Sequence, residues 1–474
     1  MMSRSAFALA VVCLAWAGCY GDTGIKLAVS PDHASLYGQS DVTISGDLAS
    51  LGDIDYFSIA GLQVVNVRWS PTSATVTVQG APRPGRYDIV IRGSRGLTIQ
   101  HNLFTYDPPA TGVPLTWMAF GASFTQGTES NGIDPHTQRS GVSGQIAKAA
   151  GVYLGLPLLN PQVTPPLQPS DFYPDCTQIP GTGAGVTTLT SVTTSPDTGL
   201  FDLRYARLDW TLKNRNVAVG GATVSDILGG VHGAKALLAH IVNDPDIGYS
   251  DAVAPETTSM IDRVEALDPD IGFTTDLLGN DLDAAVVQPE DLDPTMITPI
   301  TDVAPMLQTM MARLGKLHGQ YFIANIPSLT FVPHVVALRK KLVDAGKDTS
   351  AFDAKAKAID DATLAYNQAL LDAVAPYHNL HIVDFKQYVA DVKGGVTVGG
   401  ERLTVDHWGG MISLDDLHLT DTGYALYAQK FLDAINAVEH TQIPPIDVDA
   451  VHAADALAPQ KTRAAGYGCV PAAM

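Results

Sequence analysis

Leu115-Thr-Trp-Met-Ala-Phe-Gly121 followed by Ala122-Ser123-Phe124-Thr125-Gln126-Gly127 is the stretch from which the rest of the chain is read. A short apolar run that stops at glycine reads as a buried β-strand entering a tight turn, and Ser123 stands at that strand end. Further apolar runs alternate with helical patterns downstream. Strands are expected at Asn216–Val219, Ile271–Leu278, Tyr321–Ile326 and Leu380–Phe385, and helices at Gly141–Ala150, Val224–Val242, Met306–His318 and Ala354–Val374. A last helix, Thr422–Val438, carries Tyr424, Ala428, Phe431, Leu432 and Ile435 at 3–4 spacing, with Asp421 or Thr422 as its cap. Strands alternating with helices predict an α/β domain built on a mainly parallel sheet.

Upstream of Asp107-Pro108-Pro109 the pattern is different. Asp41-Val-Thr-Ile-Ser45, Gln63-Val-Val-Asn-Val-Arg68, Ala74-Thr-Val-Thr-Val78 and Arg86-Tyr-Asp-Ile-Val-Ile-Arg92 alternate with period 2 between Gly, Pro and Ser clusters. This predicts a small antiparallel sandwich over residues 19–108. The layout resembles the IPT/TIG type of immunoglobulin-like domain, which implies a spacer or a glycan-contacting module.

The chain of 474 residues exceeds what one small core organises and is enough for two domains or one large decorated one. Hydrophobic residues at 46% against 16% charged describe a globular protein. A net charge of -20 argues against a nucleic-acid partner, because phosphate binding needs clustered Lys and Arg.

Arg4 and the uncharged run Ala6–Gly18 read as an export signal over residues 1–18, too short to span a bilayer. Ala15-Trp16-Ala17 fits ordinary cleavage, whereas Ala17-Gly18-Cys19 resembles a bacterial lipobox. Lipidation of Cys19 would leave Cys176 and Cys469, of the four cysteines, to pair as a disulfide or to remain two free thiols. The expectation is an outer-membrane or cell-surface lipoprotein held at the membrane by its lipid, or otherwise a secreted protein.

Chemistry concentrates at the ends of the expected strands, the edge where open α/β sheets bind ligands. After Gly121–Gly127 come Asn216-Val-Ala-Val-Gly220-Gly221-Ala222-Thr223, then Gly279-Asn280-Asp281, then Asp415-Asp416-Leu417-His418 before the last helix. A serine needs a base, an orienting carboxylate and fixed oxyanion donors to act as a nucleophile. These four segments supply such groups in order. Asp415 stands three residues before His418, close enough to share a face of one helical turn, whereas Asp416 would point elsewhere.

The four segments resemble the signature blocks of the SGNH, or GDSL, hydrolase superfamily over residues 113–440, with 441–474 left as a tail. The resemblance implies a flavodoxin-like three-layer fold and a Ser123–His418–Asp415 triad. It also implies oxyanion donors at Ser123, Gly221 and Asn280, an acyl ester substrate (small-molecule or lipid) and no cofactor. The chain departs from the usual Gly-Asp-Ser first block at Ala122. The expected activity is that of a lipase or esterase; the alternatives are a carbohydrate acetylesterase and a silent surface lipoprotein that binds a glycan or partner. The run Phe331-Val-Pro-His-Val-Val-Ala-Leu338 either lines or covers an acyl site or belongs to the core. Acidic stretches such as Glu290–Pro294 lack a calcium-loop spacing, and no metal site is expected.

Overall fold

The computed structural model of the chain describes residues 23–169, 203–209, 212–233, 235–243 and 258–465. The signal peptide, the lipidation expected at Cys19 and the Cys176–Cys469 pairing all lie outside the described residues. The chain divides into two compact units, the first running to Pro109 and including the stretches Gly151–Gly155 and Thr211–Lys213.

The first unit is all β. Strands β1 (Ala28–Ser30), β2 (His33–Ser35), β3 (Asp41–Ser45), β4 (Ile54–Ile59), β5 (Leu62–Gln63), β6 (Val65–Trp69), β7 (Ser73–Thr77), β8 (Gly85–Gly93) and β9 (Gly96–Asp107) form two sheets. Their orders are β1-β3-β7-β6 and β2-β9-β8-β4-β5. Alternate residues of both sheets, among them Val42, Ile44, Val76, Ile89, Ile91 and Phe104, are fully buried in one apolar cluster. The long strand β9 escapes the period-2 reading. Asn102 takes a left-handed φ of 56°, and the register against β8 shifts between Tyr87 and Ile89, so the alternation breaks midway.

The second unit is mixed α/β. Strands β10 (Trp117–Ala119), β11 (Ile271–Thr274), β12 (Gln320–Ala324) and β13 (Leu380–Val383) form a parallel sheet in that order, with a hairpin of β14 (Val396–Val398) and β15 (Glu401–Leu403) apart from it. Between them lie α1 (Ser123–Gln126), α2 (Pro135–Ser140), α3 (Val142–Ala150), α4 (Val224–Gly229), α5 (Lys235–Asn243), α6 (Met260–Leu267), α7 (Ile300–Leu314), α8 (Pro333–Asp344), α9 (Ser350–Val374) and α10 (Phe385–Lys393). Helices α11 (Asp421–Glu439), α12 (Val448–Ala454) and α13 (Pro459–Ala464) complete the described chain.

Several expectations are corrected. Asn216–Val219 runs parallel beside β10 through hydrogen bonds from Val217 N–H to Ala119 O and from Val219 N–H to Gly121 O, yet it makes only a bridge. The Asn216 side-chain oxygen accepts the Ala218 N–H, a local bond that competes with a ladder. The strand expected over Ile271–Leu278 ends at Thr274, where Thr275 and Asp276 turn to side-chain and backbone partners across the loop. The single helix expected over Val224–Val242 is two, broken at Gly230 (φ 100°) and Gly233 (φ 64°). Thr420, one residue before the expected caps, caps α11 by accepting the Gly423 N–H. The segment from 441, expected as a tail, folds into α12 and α13, and Asp455 binds Thr422 at the start of α11.

No helix among the described residues is long and apolar enough to cross a membrane.

Candidate active site

Ser123 opens the helical turn α1 immediately after β10. Gly121 precedes it with φ 143°, and a Cβ there would sit 2.7 Å from both Asp276 Oδ1 and Thr125 Oγ1, so only glycine fits the bend. The turn is clamped from the next strand end. Asp276 accepts hydrogen bonds from Ala122 N–H (3.0 Å), Phe124 N–H (2.7 Å) and the Thr125 hydroxyl (2.6 Å). Ser123 N–H, between the two clamped amides, takes no acceptor among the described residues.

His418 and Asp415 meet within a loop that is not helical. Asp416 adopts φ 60°, which stops a helix from forming. The pair is closed instead by the Asp415 carboxylate, whose Oδ1 accepts Leu417 N–H (3.0 Å) and His418 N–H (2.9 Å) in an Asx-type turn. Its Oδ2 accepts from His418 Nδ1 at 2.7 Å and from Asn131 N–H at 2.6 Å. Burial pushes the Asp415 carboxyl up, but the imidazole beside it and these N–H donors prevail and hold it at about 2. For His418 burial works downward and is outweighed by Asp415, with smaller help from Asp276 and Asp283, so the imidazole stands above its ordinary 6.5.

A carboxylate only accepts, so Nδ1 carries the proton and Nε2 is left as the basic nitrogen. That Nε2 is buried and has no hydrogen-bond partner among the described residues. The imidazole lies 5.2 Å from the ring of Phe124, which neighbours Ser123 in the chain. Ser123 Oγ does not hydrogen-bond Nε2 directly. Asp416 turns away to accept from His407 Nδ1 at 2.5 Å.

The loop after Val219 approaches Ser123 at Gly220, where an added Cβ would lie 3.9 Å from Ser123 Cβ. Gly220 N–H is occupied by Gln126 Oε1 (2.7 Å), whereas Gly221 N–H takes no acceptor among the described residues. Gly221 has φ 78°, and its carbonyl accepts from Lys235 Nζ at 2.7 Å. Asn280 spends one amide hydrogen on Ala222 O (2.9 Å) and keeps the other. Asp281 Oδ2 accepts the Val224 N–H (2.8 Å), tying this loop to the start of α4.

Ser123 and Asn280 line one pocket together with Asp276 and Asp283. Of the run 331–338, Phe331 and Val332 line that pocket, and Val332, Val335 and Leu338 are buried in the core.

Sequence reasoning missed Asp276, Gln126 and Lys235. Asp276 has a signal, an acidic residue inside an apolar run, but the run Ile271–Leu278 reads whole as a strand. Gln126 and Lys235 had none, since their roles arise from contacts across distant loops. Among the described residues no group of three or more His, Cys, Asp or Glu is placed to hold a metal ion.

No family model matches the chain, and no curated protein does. Among solved structures it is similar to a carbohydrate acetylesterase from Xanthomonas citri, at 12% identity over 88% of this chain and 76% of that one, with a TM-score of 0.28. It is also similar to a protein from Bacillus subtilis, at 8% identity over 94% and 80% of the two chains, with a TM-score of 0.22. Likenesses this slight carry no argument about activity.

Proposed function

We propose that the chain is a serine ester hydrolase of the SGNH type, with a flavodoxin-like catalytic domain and Ser123, His418 and Asp415 as its triad. The observation that carries this reading is the His418 imidazole. Its Nδ1 is locked to Asp415 at 2.7 Å, and its Nε2 is buried without a partner beside the Ser123–Phe124 turn. A buried polar atom left unpaired costs about 1–3 kcal/mol, and such exceptions call for a functional explanation.

In the proposed reaction Ser123 Oγ bonds to the ester carbonyl carbon while His418 Nε2 takes its proton. The carbonyl electron pair moves onto oxygen, where the N–H groups of Ser123 and Gly221 and the amide of Asn280 receive the negative charge. Collapse breaks the bond to the alcohol, which leaves with the proton from His418. Water, deprotonated by the same nitrogen, then releases the acid and restores Ser123. Asp415 keeps the imidazole in the correct tautomer and stabilises its charged form.

The test is hydrolysis of p-nitrophenyl butyrate together with labelling by a fluorophosphonate. Wild-type protein is expected to turn over the ester and to be labelled at Ser123, and Ser123→Ala to do neither while melting at the same temperature. Equal turnover by Ser123→Ala would refute the reading.

A carbohydrate ester is the second reading. Asp283, a carboxylate in the pocket wall, favours it because a sugar hydroxyl could donate to that group.

A further inference from the structure

The pocket that Ser123 and Asn280 share with their surroundings is unusual for its walls. Leu277 and Leu278 contribute from the loop after β11, Ile326 and Leu329 from the chain after β12, and Val389 and Val392 from α10. Most of the polar groups in the lining are already engaged. Thr275 Oγ1 lies 2.9 Å from Thr125 Oγ1, Asp276 holds the Ser123 turn, and Asn325 donates to Asp384 at 2.8 Å. Asp283 is a further polar group in the wall. Burial pushes its carboxyl up to about 6, a sign of how little water the surroundings offer it.

We infer that this pocket is an acyl-chain site, selecting esters of medium-chain fatty acids over acetate. The inference rests on Ser123 being the nucleophile. The reacting carbonyl must lie at Ser123 and Asn280, so one substituent of the ester is directed into the apolar space beside them. That space has a cavity volume of about 70 Å³ and is partly open to solvent. One water-sized group needs roughly 10–15 Å³ on the same measure, so the space holds more than an acetyl methyl fills. A sugar placed there would lose its hydration and find few unengaged partners, which costs free energy. An alkyl chain loses nothing polar, and each buried methylene is worth about fourfold in binding.

Two measurements on the full chain test this. In the first, kcat/KM for p-nitrophenyl esters is expected to rise on the order of 100-fold from acetate to octanoate, as burial of about three or four of the added methylenes gives. In the second, Ser123→Ala is titrated with the fluorescent fatty acid cis-parinaric acid and is expected to bind it. Val332→Trp and Val389→Trp fill the pocket from two different walls, so that one informs if the other does not fold. Each should weaken fatty-acid binding at least about tenfold and lower the octanoate-to-acetate ratio of kcat/KM at least about tenfold.

A flat or falling chain-length profile, with no fatty-acid binding by Ser123→Ala, overturns the inference. Fluorophosphonate labelling of Ser123 separates the two failures. Labelling with no chain-length preference leaves the hydrolase standing and removes only the acyl site, whereas absence of labelling and of all ester turnover removes the hydrolase itself.

Discussion

Asp276 Oδ2 accepts the Phe124 N–H at 2.7 Å while Oδ1 accepts the Ala122 N–H at 3.0 Å, so one carboxylate grips the backbone on both sides of Ser123. The acidic group next to the Ser123 turn therefore comes from the loop after β11, not from position 122. Asp276 also places negative charge near His418, one of the groups that raise the imidazole. In the proposed reaction it is a positioning residue, acting through Ser123 and His418.

Asp276→Asn keeps the shape but turns an amide toward one of the two N–H donors. A buried donor left unpaired costs about 1–3 kcal/mol, so kcat should fall about 10- to 100-fold with KM little changed. The acid limb of the kcat/KM profile should also move to lower pH, because an anion that favours the charged imidazole is gone. A pH–rate profile checks both; an unshifted limb would count against the electrostatic part.

Wild-type turnover should rise with pH through a midpoint above 6.5. His418 must be neutral to take the Ser123 proton, and its pKa stands above that value. Asp283→Asn removes another anion that raises His418 and should shift the midpoint downward without abolishing turnover. A midpoint below 6.5 in the wild type would contradict the charge balance described for the site.

Asp415→Asn should lower kcat by about 10⁴-fold, since the amide cannot hold the imidazole in its working tautomer. The same substitution bears on acid stability. The native carboxyl at about 2 lies below its ordinary 3.8, so its stabilisation is present above about pH 4 and is lost as pH falls toward 2. The difference corresponds to about 2 kcal/mol. Urea unfolding at pH 3 and pH 7 should show a smaller pH effect for Asp415→Asn than for wild type.

Gly121→Ala should be poorly folded. At φ 143° an alanine is strained, and its Cβ would fall 2.7 Å from Asp276 Oδ1. Such a change costs more than about 1 kcal/mol, seen as a lower melting temperature and weaker fluorophosphonate labelling.

Local pattern carried much of this protein in the sequence alone. Val42 and Ile44 alternate inward, Tyr424 through Ile435 recur at helical spacing, and the apolar runs 115–121 and 321–326 mark β10 and β12. All are read within a few residues because side-chain direction follows backbone period. The order of Ser123, Gly221, Asn280, Asp415 and His418 along the chain was equally visible. What the tertiary structure decided was what those residues touch. Asp276, buried in a run that looks like a strand, becomes the clamp on Ser123. Lys235, without any motif, fixes the Gly221 carbonyl. Leu277, Ile326 and Val389, far apart in sequence and each an ordinary core residue by type, come together as one wall. Period and propensity act over one or two turns of chain, whereas these contacts form only when loops from different strand ends converge.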